Sequence, residues 1–248
     1  MTTSHNESSA SLILLDIEGT TTPIDFVYKT LFPFARARVT DYLSHNWDAP
    51  EVRSCLAQLR AERSADASQG LNPPPLEGES SSEQIESAAA YIHWLMDRDR
   101  KSTPLKAVQG RIWQEGYQAG ALLSEVFEDI APAFARWRGQ NKLICIYSSG
   151  SALAQKLLFA HTTAGDMTGY IYRYFDTTIG HKIEADSYRR IAEELRLAPS
   201  EILFISDVIA ELDAARAAGM KTILATRPGN RPVESPVNHP TVDSFSSL

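Results

Sequence analysis

Two carboxylates separated by one residue follow the first apolar run of the chain. The stretch is LILLDIEGTTTP, residues 12–23, in which Asp16 and Glu18 precede Gly19 and three threonines. A continuous apolar run that ends at an acid and a glycine is typical of a buried parallel strand. Because buried carboxylates need positive charge close by, we expect Asp16 and Glu18 to face a cation.

Later strand ends carry polar side chains of complementary chemistry. Ser148 and Ser149 follow the apolar run KLICIY, Lys182 lies in the loop after the short strand of YFDTTIGHK, and Asp207 follows EILFIS. In an open parallel sheet, the carboxyl ends of the strands lie along one edge and form the ligand site. The spacing therefore predicts that these side chains converge with Asp16 in one crevice.

The residue types at these strand ends indicate phosphate chemistry with a metal ion. Asp16, Glu18 and Asp207 offer hard oxygen ligands without histidine or thiolate, which suits Mg²⁺. Serine hydroxyls, backbone N–H groups at a helix start and a lysine suit a phosphate. A carboxylate beside Mg²⁺ and a phosphate can act as a nucleophile, and a second carboxylate can protonate the leaving oxygen and later activate water.

The order of elements predicts an α/β fold. Apolar strand patterns alternate with helical patterns from about residue 126 onward, which favours βαβ units in a doubly wound, Rossmann-like parallel sheet. We expect this core to comprise residues 11–24 and 126–248. Residues 25–125 are predicted to form a helical cap inserted after the first strand, and residues 1–10 a disordered tail.

Composition and charge narrow the class of protein. The chain has 248 residues, 43% of them hydrophobic, and a formal net charge of -7. It has no long basic stretch, so we expect neither a nucleic-acid nor a membrane partner. Two distant cysteines, Cys55 and Cys145, and a polar N-terminus without a signal-peptide pattern favour a reducing compartment. We therefore expect a cytoplasmic protein.

Four motifs taken together resemble those of the haloacid dehalogenase (HAD) superfamily. They are DIEGTTTP, YSSG, GHK and SDVIAE, in the superfamily's order, with Glu18 where its first motif has a second Asp. More narrowly, DIEGTTTPIDFV, LFPFAR, QGRIW, YSSGSALAQKLLF, YFDTTIGHKIEADSY and ATRPGN resemble the enolase-phosphatase family, also called acireductone synthase. The resemblance covers nearly the whole chain and implies a HAD-type core with a cap. It also implies a small-molecule substrate and, together with the absence of an obvious exposed apolar stripe in the sequence, favours a monomer.

This resemblance implies a bifunctional, Mg²⁺-dependent enzyme of methionine salvage. The family enolises 2,3-diketo-5-methylthiopentyl-1-phosphate and then removes the phosphate, which gives the acireductone 1,2-dihydroxy-3-keto-5-methylthiopentene. By motif position, Asp16 would be the nucleophile and a metal ligand, and Asp207 would be a second metal ligand. Glu18 would be the acid/base and would contact the metal through its carbonyl or carboxylate. Ser148 and Ser149 would bind substrate through their hydroxyls, and Lys182 would offset the negative charge on the phosphate and on Asp16.

Other interpretations of the same residues stay open at this point. The chain could be a generic Mg²⁺-dependent HAD phosphatase of small molecules, or a non-catalytic module that binds a phosphorylated metabolite. Glu211 could support the metal ligands or be an exposed helical residue. Trp113 could contact the methylthio end of the substrate or pack inside the cap. No histidine is assigned to the metal.

Overall fold

The computed structural model describes residues 10–232 and 238–248. The predicted disordered tail, residues 1–10, lies outside this part except for Ala10, which is buried. The chain forms two compact units. One comprises the chain up to Lys29 together with Leu123–Leu248, and the other is Thr30–Leu122.

The described residues form six strands and eight α-helices. The strands are β1 (Leu12–Leu15), β2 (Leu143–Tyr147), β3 (Arg173–Phe175), β4 (Ile202–Ser206), β5 (Lys221–Ala225) and β6 (Thr241–Val242). The helices are α1 (Phe32–Asn46), α2 (Pro50–Ser68), α3 (Ser81–Met96), α4 (Thr103–Gln118), α5 (Ile130–Gly139), α6 (Ala152–Ala160), α7 (Ala185–Leu195) and α8 (Ile209–Ala217). None of these helices is long and apolar enough to cross a membrane.

All six strands pair in parallel in the order β3-β2-β1-β4-β5-β6. The central strand β1 is fully buried, because helices cover both faces of the sheet. Leu12 and Leu14 face a core shared with Tyr188 of α7 and Leu212 of α8. On the opposite face, aromatic residues of α5 and α6 pack together. The predicted doubly wound α/β core is confirmed.

The edge strand β6 was not predicted from the sequence. β6 consists of two residues and pairs with β5 through Ala225 and Val242. Two residues are too few to show alternation or an apolar run, so no pattern in the sequence marks this edge strand.

The unit Thr30–Leu122 contains α1–α4, which lie between β1 and β2 in chain order. Pro33 stands in the first turn of α1, where its missing N–H costs no hydrogen bond. α3 begins at a capping box between Ser80 and Glu83. Trp113 is 7% exposed and its indole N–H donates to Leu31 O at 2.8 Å, which agrees with packing inside this unit.

Candidate active site

Three central strands end at the same level of the sheet. Leu15, the last residue of β1, pairs with Ile146 of β2 and with Ile205 of β4. Asp16 follows Leu15 and remains in register, since its N–H donates to Ile205 O at 3.0 Å. The polar residues that end β2 and β4 therefore emerge at the same edge as Asp16, where the sequence predicted a site.

Lys182 joins two carboxylates at this edge. Its Nζ lies 2.7 Å from Asp16 Oδ1 and 2.7 Å from Glu211 Oε2, and Lys182 is 8% exposed. Burial lowers the pKa of Lys182, but the Asp16 and Glu211 carboxylates outweigh burial and raise its pKa above the ordinary value. The side chain is therefore a protonated ammonium at neutral pH.

Further contacts fix the orientation of the Asp16 carboxylate. Oδ1 accepts a hydrogen bond from Ile17 N at 2.8 Å, in addition to the contact with Lys182. The Ser206 hydroxyl donates to Glu211 Oε2 at 2.9 Å and lies 3.3 Å from Asp16 Oδ2. We call Asp16, Lys182, Ser206, Asp207 and Glu211 the carboxylate–lysine cluster.

Asp207 lies against the backbone of the turn that follows β1. Gly19 has a φ of +66°, and a side chain there would overlap the Asp207 carboxylate and place its Cβ 2.8 Å from Asn230 Oδ1. Only glycine fits this close approach and this φ without strain. Burial and the nearby Asp16 carboxylate raise the pKa of Asp207 to about 7.

Negative charge exceeds positive charge in the carboxylate–lysine cluster. When all groups are ionised, Asp16, Asp207 and Glu211 carry three negative charges against one positive charge on Lys182. Burial and Asp16 also raise the pKa of Glu211, and Lys182 opposes that rise. Such an excess of buried carboxylate is costly unless a further cation or a proton is present.

The other predicted site residues lie in the turns around this cluster. Glu18 is half-buried in the turn after β1 and pairs with Thr22 in an isolated bridge. Ser148 is buried, its N–H donates to Phe175 O at 3.2 Å, and its hydroxyl accepts from Gly150 N at 3.2 Å. Ser149 is half-buried in the same turn.

Comparison with known proteins identifies the family to which this chain belongs. The profile of haloacid dehalogenase-like hydrolases matches residues 10–219. Enolase-phosphatase E1 of Synechococcus elongatus is 48% identical over 240 residues, which cover 97% of this chain and 98% of the relative. Enolase-phosphatase E1 of Drosophila melanogaster is 42% identical over 92% of this chain and 87% of the relative. The chain belongs to the enolase-phosphatase family of HAD-like hydrolases.

A solved structure of similar sequence has a similar fold. The UTR4 protein of Saccharomyces cerevisiae is 35% identical, with a TM-score of 0.78, and the match covers 96% of this chain and all of that protein. The resemblance predicted from the motifs is thus confirmed for both the superfamily and the narrower enolase-phosphatase family.

In this enolase-phosphatase, two residues, Glu211 and Asn230, make contacts in the site that the motifs alone did not predict. Glu211, whose role was left open, is 9% exposed and bound to Lys182. Its position four residues after Asp207, in the first turn of α8, is the signal that could have placed it in the site. Asn230 donates to Gly19 O at 2.9 Å, and no local pattern predicts a contact across such a chain distance.

Proposed function

We propose that this chain is a Mg²⁺-dependent enolase-phosphatase that converts 2,3-diketo-5-methylthiopentyl-1-phosphate to the acireductone and phosphate. One observation carries the proposal: a buried carboxylate, Asp16, oriented by Lys182 at 2.7 Å within an acidic cluster at the carboxyl edge of the sheet. The relatives named enolase-phosphatase E1, at 41–48% identity over nearly the whole chain, support the narrower substrate assignment.

In the phosphatase step, Asp16 attacks phosphorus. A bond forms between an Asp16 oxygen and phosphorus while the bond from phosphorus to the substrate oxygen breaks, and Glu18 protonates that leaving oxygen. Water then attacks phosphorus, the bond between phosphorus and Asp16 breaks, and Glu18 accepts a proton from the water, which releases phosphate and regenerates Asp16. Lys182 offsets the negative charge on Asp16 and on the phosphoryl oxygens throughout.

In the enolase step, a base must remove a proton from the carbon next to a carbonyl. Glu18 is one methylene longer than the aspartate that the superfamily has at this position, so its carboxylate reaches further from the turn. We assign this proton transfer to Glu18 as well: as Glu18 takes the proton, the C–H electrons form the carbon–carbon double bond and the carbonyl becomes an enolate, and the proton held by Glu18 then passes to the leaving oxygen.

The acidic edge of the sheet fits a magnesium ion. Asn230 Oδ1 is a buried acceptor without a hydrogen-bond donor among the described residues, and it lies beside the Asp207 carboxylate near Gly19. Mg²⁺ usually takes one or two carboxylates and completes its shell with waters and substrate phosphate.

We assign the metal ligands to Asp16, Asp207 and Glu18, the last through its backbone carbonyl or its carboxylate. Bound there, Mg²⁺ would supply a Lewis acid that neutralises phosphate charge. We assign phosphate binding to Ser148 and Ser149, which precede the start of α6, where backbone N–H groups favour an anion.

The unit Thr30–Leu122 is proposed as the cap. We place the enzyme in the cytoplasm as a monomer. Cys55 and Cys145 are both buried and free, which is consistent with a reducing compartment.

The pH dependence of stability tests the charge excess at the metal site. The pKa of Asp207 is about 7 in the folded protein and near its ordinary value of 3.8 when the chain is unfolded. Between these values the folded state binds more protons than the unfolded state, so Asp207 makes the metal-free protein less stable as pH rises from about 4 to about 7. Saturating Mg²⁺ should remove this loss, because the ion binds the ionised carboxylate.

Urea unfolding at several pH values, in chelator and in Mg²⁺, measures this effect. The Asp207→Asn variant isolates it from other carboxylates, since asparagine does not titrate. We expect a shallower pH profile for Asp207→Asn in chelator and little stabilisation by Mg²⁺. Identical profiles of the two proteins in chelator would refute the raised pKa of Asp207, and equal stabilisation of both by Mg²⁺ would refute the assignment of Asp207 to the metal.

The substrate assignment is tested with the diketone phosphate and Mg²⁺. Ultraviolet absorbance follows the enol, and a coupled assay follows free phosphate. An enol signal that rises before phosphate appears supports both steps. Phosphate release from simple esters, with no enol formed from the diketone, would indicate a generic HAD phosphatase instead. Ligand binding without any phosphate release would indicate a non-catalytic module.

Glu18→Gln separates binding from chemistry. The substitution keeps the size of the side chain but removes the proton acceptor, so kcat should fall by about 10²-fold or more while KM changes little. Steady-state kinetics with the diketone phosphate measure both constants. Glu193→Gln, an exposed position on α7, is the matched control. Full turnover by Glu18→Gln would leave Glu18 with a structural role alone.

A further inference from the structure

Side chains donate hydrogen bonds to four consecutive backbone carbonyls, the last of which is that of Lys182. The described segment 176–184 joins β3 to α7 and contains neither helix nor strand. Its contacts are Arg190 Nη1 donating to Ile179 O at 3.0 Å, Tyr147 OH to Gly180 O at 2.9 Å, Ser187 Oγ to His181 O at 2.7 Å and Tyr188 OH to Lys182 O at 2.7 Å. We call the hydroxyls of Tyr147, Ser187 and Tyr188 the hydroxyl clamp.

The core of the sheet fixes the position of the clamp. Tyr147, Ser187 and Tyr188 are all 0% exposed. The two tyrosine rings meet edge to face with centroids 5.5 Å apart, and the Tyr188 ring lies 5.1 Å from that of Phe204 in β4. Buried rings packed in this way cannot swing away, and their hydroxyls need a partner. The carbonyls of the segment are therefore held relative to β2, β4 and α7.

Gly180 allows the segment to approach α7 closely enough for the clamp to form. Its φ is +143°, which few other residues adopt. An added Cβ would overlap Ser187 Oγ and lie 3.1 Å from Ser187 Cβ. Any side chain at this position would push the segment away from the hydroxyl that binds His181 O.

The position of the Lys182 ammonium depends on the position of the backbone of this segment. Its long side chain has many rotamers, yet Nζ must lie within 2.7 Å of both Asp16 Oδ1 and Glu211 Oε2. Connecting segments are usually the more mobile parts of a fold. A displacement of about 1 Å at a reacting group can cost about 10²-fold in rate.

We propose that the hydroxyl clamp positions Lys182 for catalysis, so that Tyr147, Ser187 and Tyr188 are positioning residues of the phosphoryl transfer. The kinetic part of this inference rests on the proposed function. The clamp acts through the ammonium of Lys182 and does not touch the substrate.

Tyr188→Phe removes one hydroxyl of the clamp and keeps the buried ring. We expect kcat for phosphate release to fall by about tenfold or more, with KM within about threefold, at a temperature where the variant is fully folded. Ser187→Ala should act in the same direction. Tyr174→Phe is the matched control, because the Tyr174 hydroxyl is buried and has no partner among the described residues. It should leave kcat unchanged.

Two further measurements distinguish positioning from a purely structural role. In a Lys182→Met background, Tyr188→Phe should cause no additional loss of kcat, since its effect passes through Lys182. Reaction of Lys182 with an amine-specific acylating reagent, followed by peptide mass spectrometry, should be about tenfold faster in Tyr188→Phe than in the wild type and unchanged in Tyr174→Phe.

The labelling rate decides the inference even if the wild type releases no phosphate, in which case the proposed function fails separately. Unchanged labelling in Tyr188→Phe and Ser187→Ala would overturn the inference. So would a lower melting temperature with wild-type kcat, or a full additional loss of kcat in the Lys182→Met background.

Discussion

Asp16→Asn is expected to lower kcat for phosphate release by at least about 10³-fold. The carboxamide keeps the volume of the side chain but is a poor nucleophile and cannot form the aspartyl-phosphate. The fold should persist, because Lys182 keeps its contact with Glu211 Oε2 at 2.7 Å. The substitution also removes one of the buried negative charges, which lessens the repulsion of Asp207.

Single-turnover kinetics and mass spectrometry of acid-quenched samples measure this effect. The wild type should show a phosphorylated peptide that contains Asp16, and the variant should not. Asp186→Asn, an exposed position at the start of α7, is the matched control and should keep wild-type kinetics. A phosphorylated intermediate in Asp16→Asn, or turnover at the wild-type rate, would exclude Asp16 as the nucleophile.

Lys182→Met is expected to weaken both stability and activity. Methionine keeps an unbranched apolar side chain, but it leaves Asp16 and Glu211 buried without their counter-charge. Breaking a buried pair in this way costs about 3–5 kcal/mol of unfolding free energy. Loss of the ammonium should also lower kcat by about 10²–10³-fold, which is the usual effect of removing one electrostatic contact to the transition state.

The pH dependence of this destabilisation identifies its cause. Glu211 already has a raised pKa, so lowering the pH adds a proton to the cluster and relieves the unpaired charge. The difference in unfolding free energy between wild type and Lys182→Met should therefore shrink as pH falls from 8 to about 5. Urea unfolding across this range measures the difference.

Two variants serve as references for that series. Lys156→Met, at an exposed position on α6, should leave stability unchanged. Adding Glu211→Gln to Lys182→Met should restore part of the lost stability, because it removes one of the unpaired charges. A pH-independent loss, or no recovery in the double variant, would attribute the effect of Lys182→Met to packing.

Local patterns in the chain were enough to predict the core and the strand-end residues of the site. β1, β2 and β4 are continuous apolar runs that are followed by polar residues. Each run can be recognised from consecutive residues alone, without knowledge of the fold. Because parallel strands present their carboxyl ends at one edge, Asp16 and Asp207 could be assigned to one crevice without coordinates. The motifs around them also sufficed to indicate the family.

The partners of these residues could not be predicted in the same way. Which strands flank β1 depends on packing between segments far apart in the chain, and it is this order that brings Glu211 to Lys182 and Asn230 to Gly19. A sequence pattern indicates whether a segment is buried and whether its apolar residues recur as in a helix or a strand. It does not indicate which distant side chain contacts that segment. The hydroxyls that hold the carbonyl of Lys182 and its neighbours come from a strand and a helix, so their convergence exists only once the sheet and α7 have packed together.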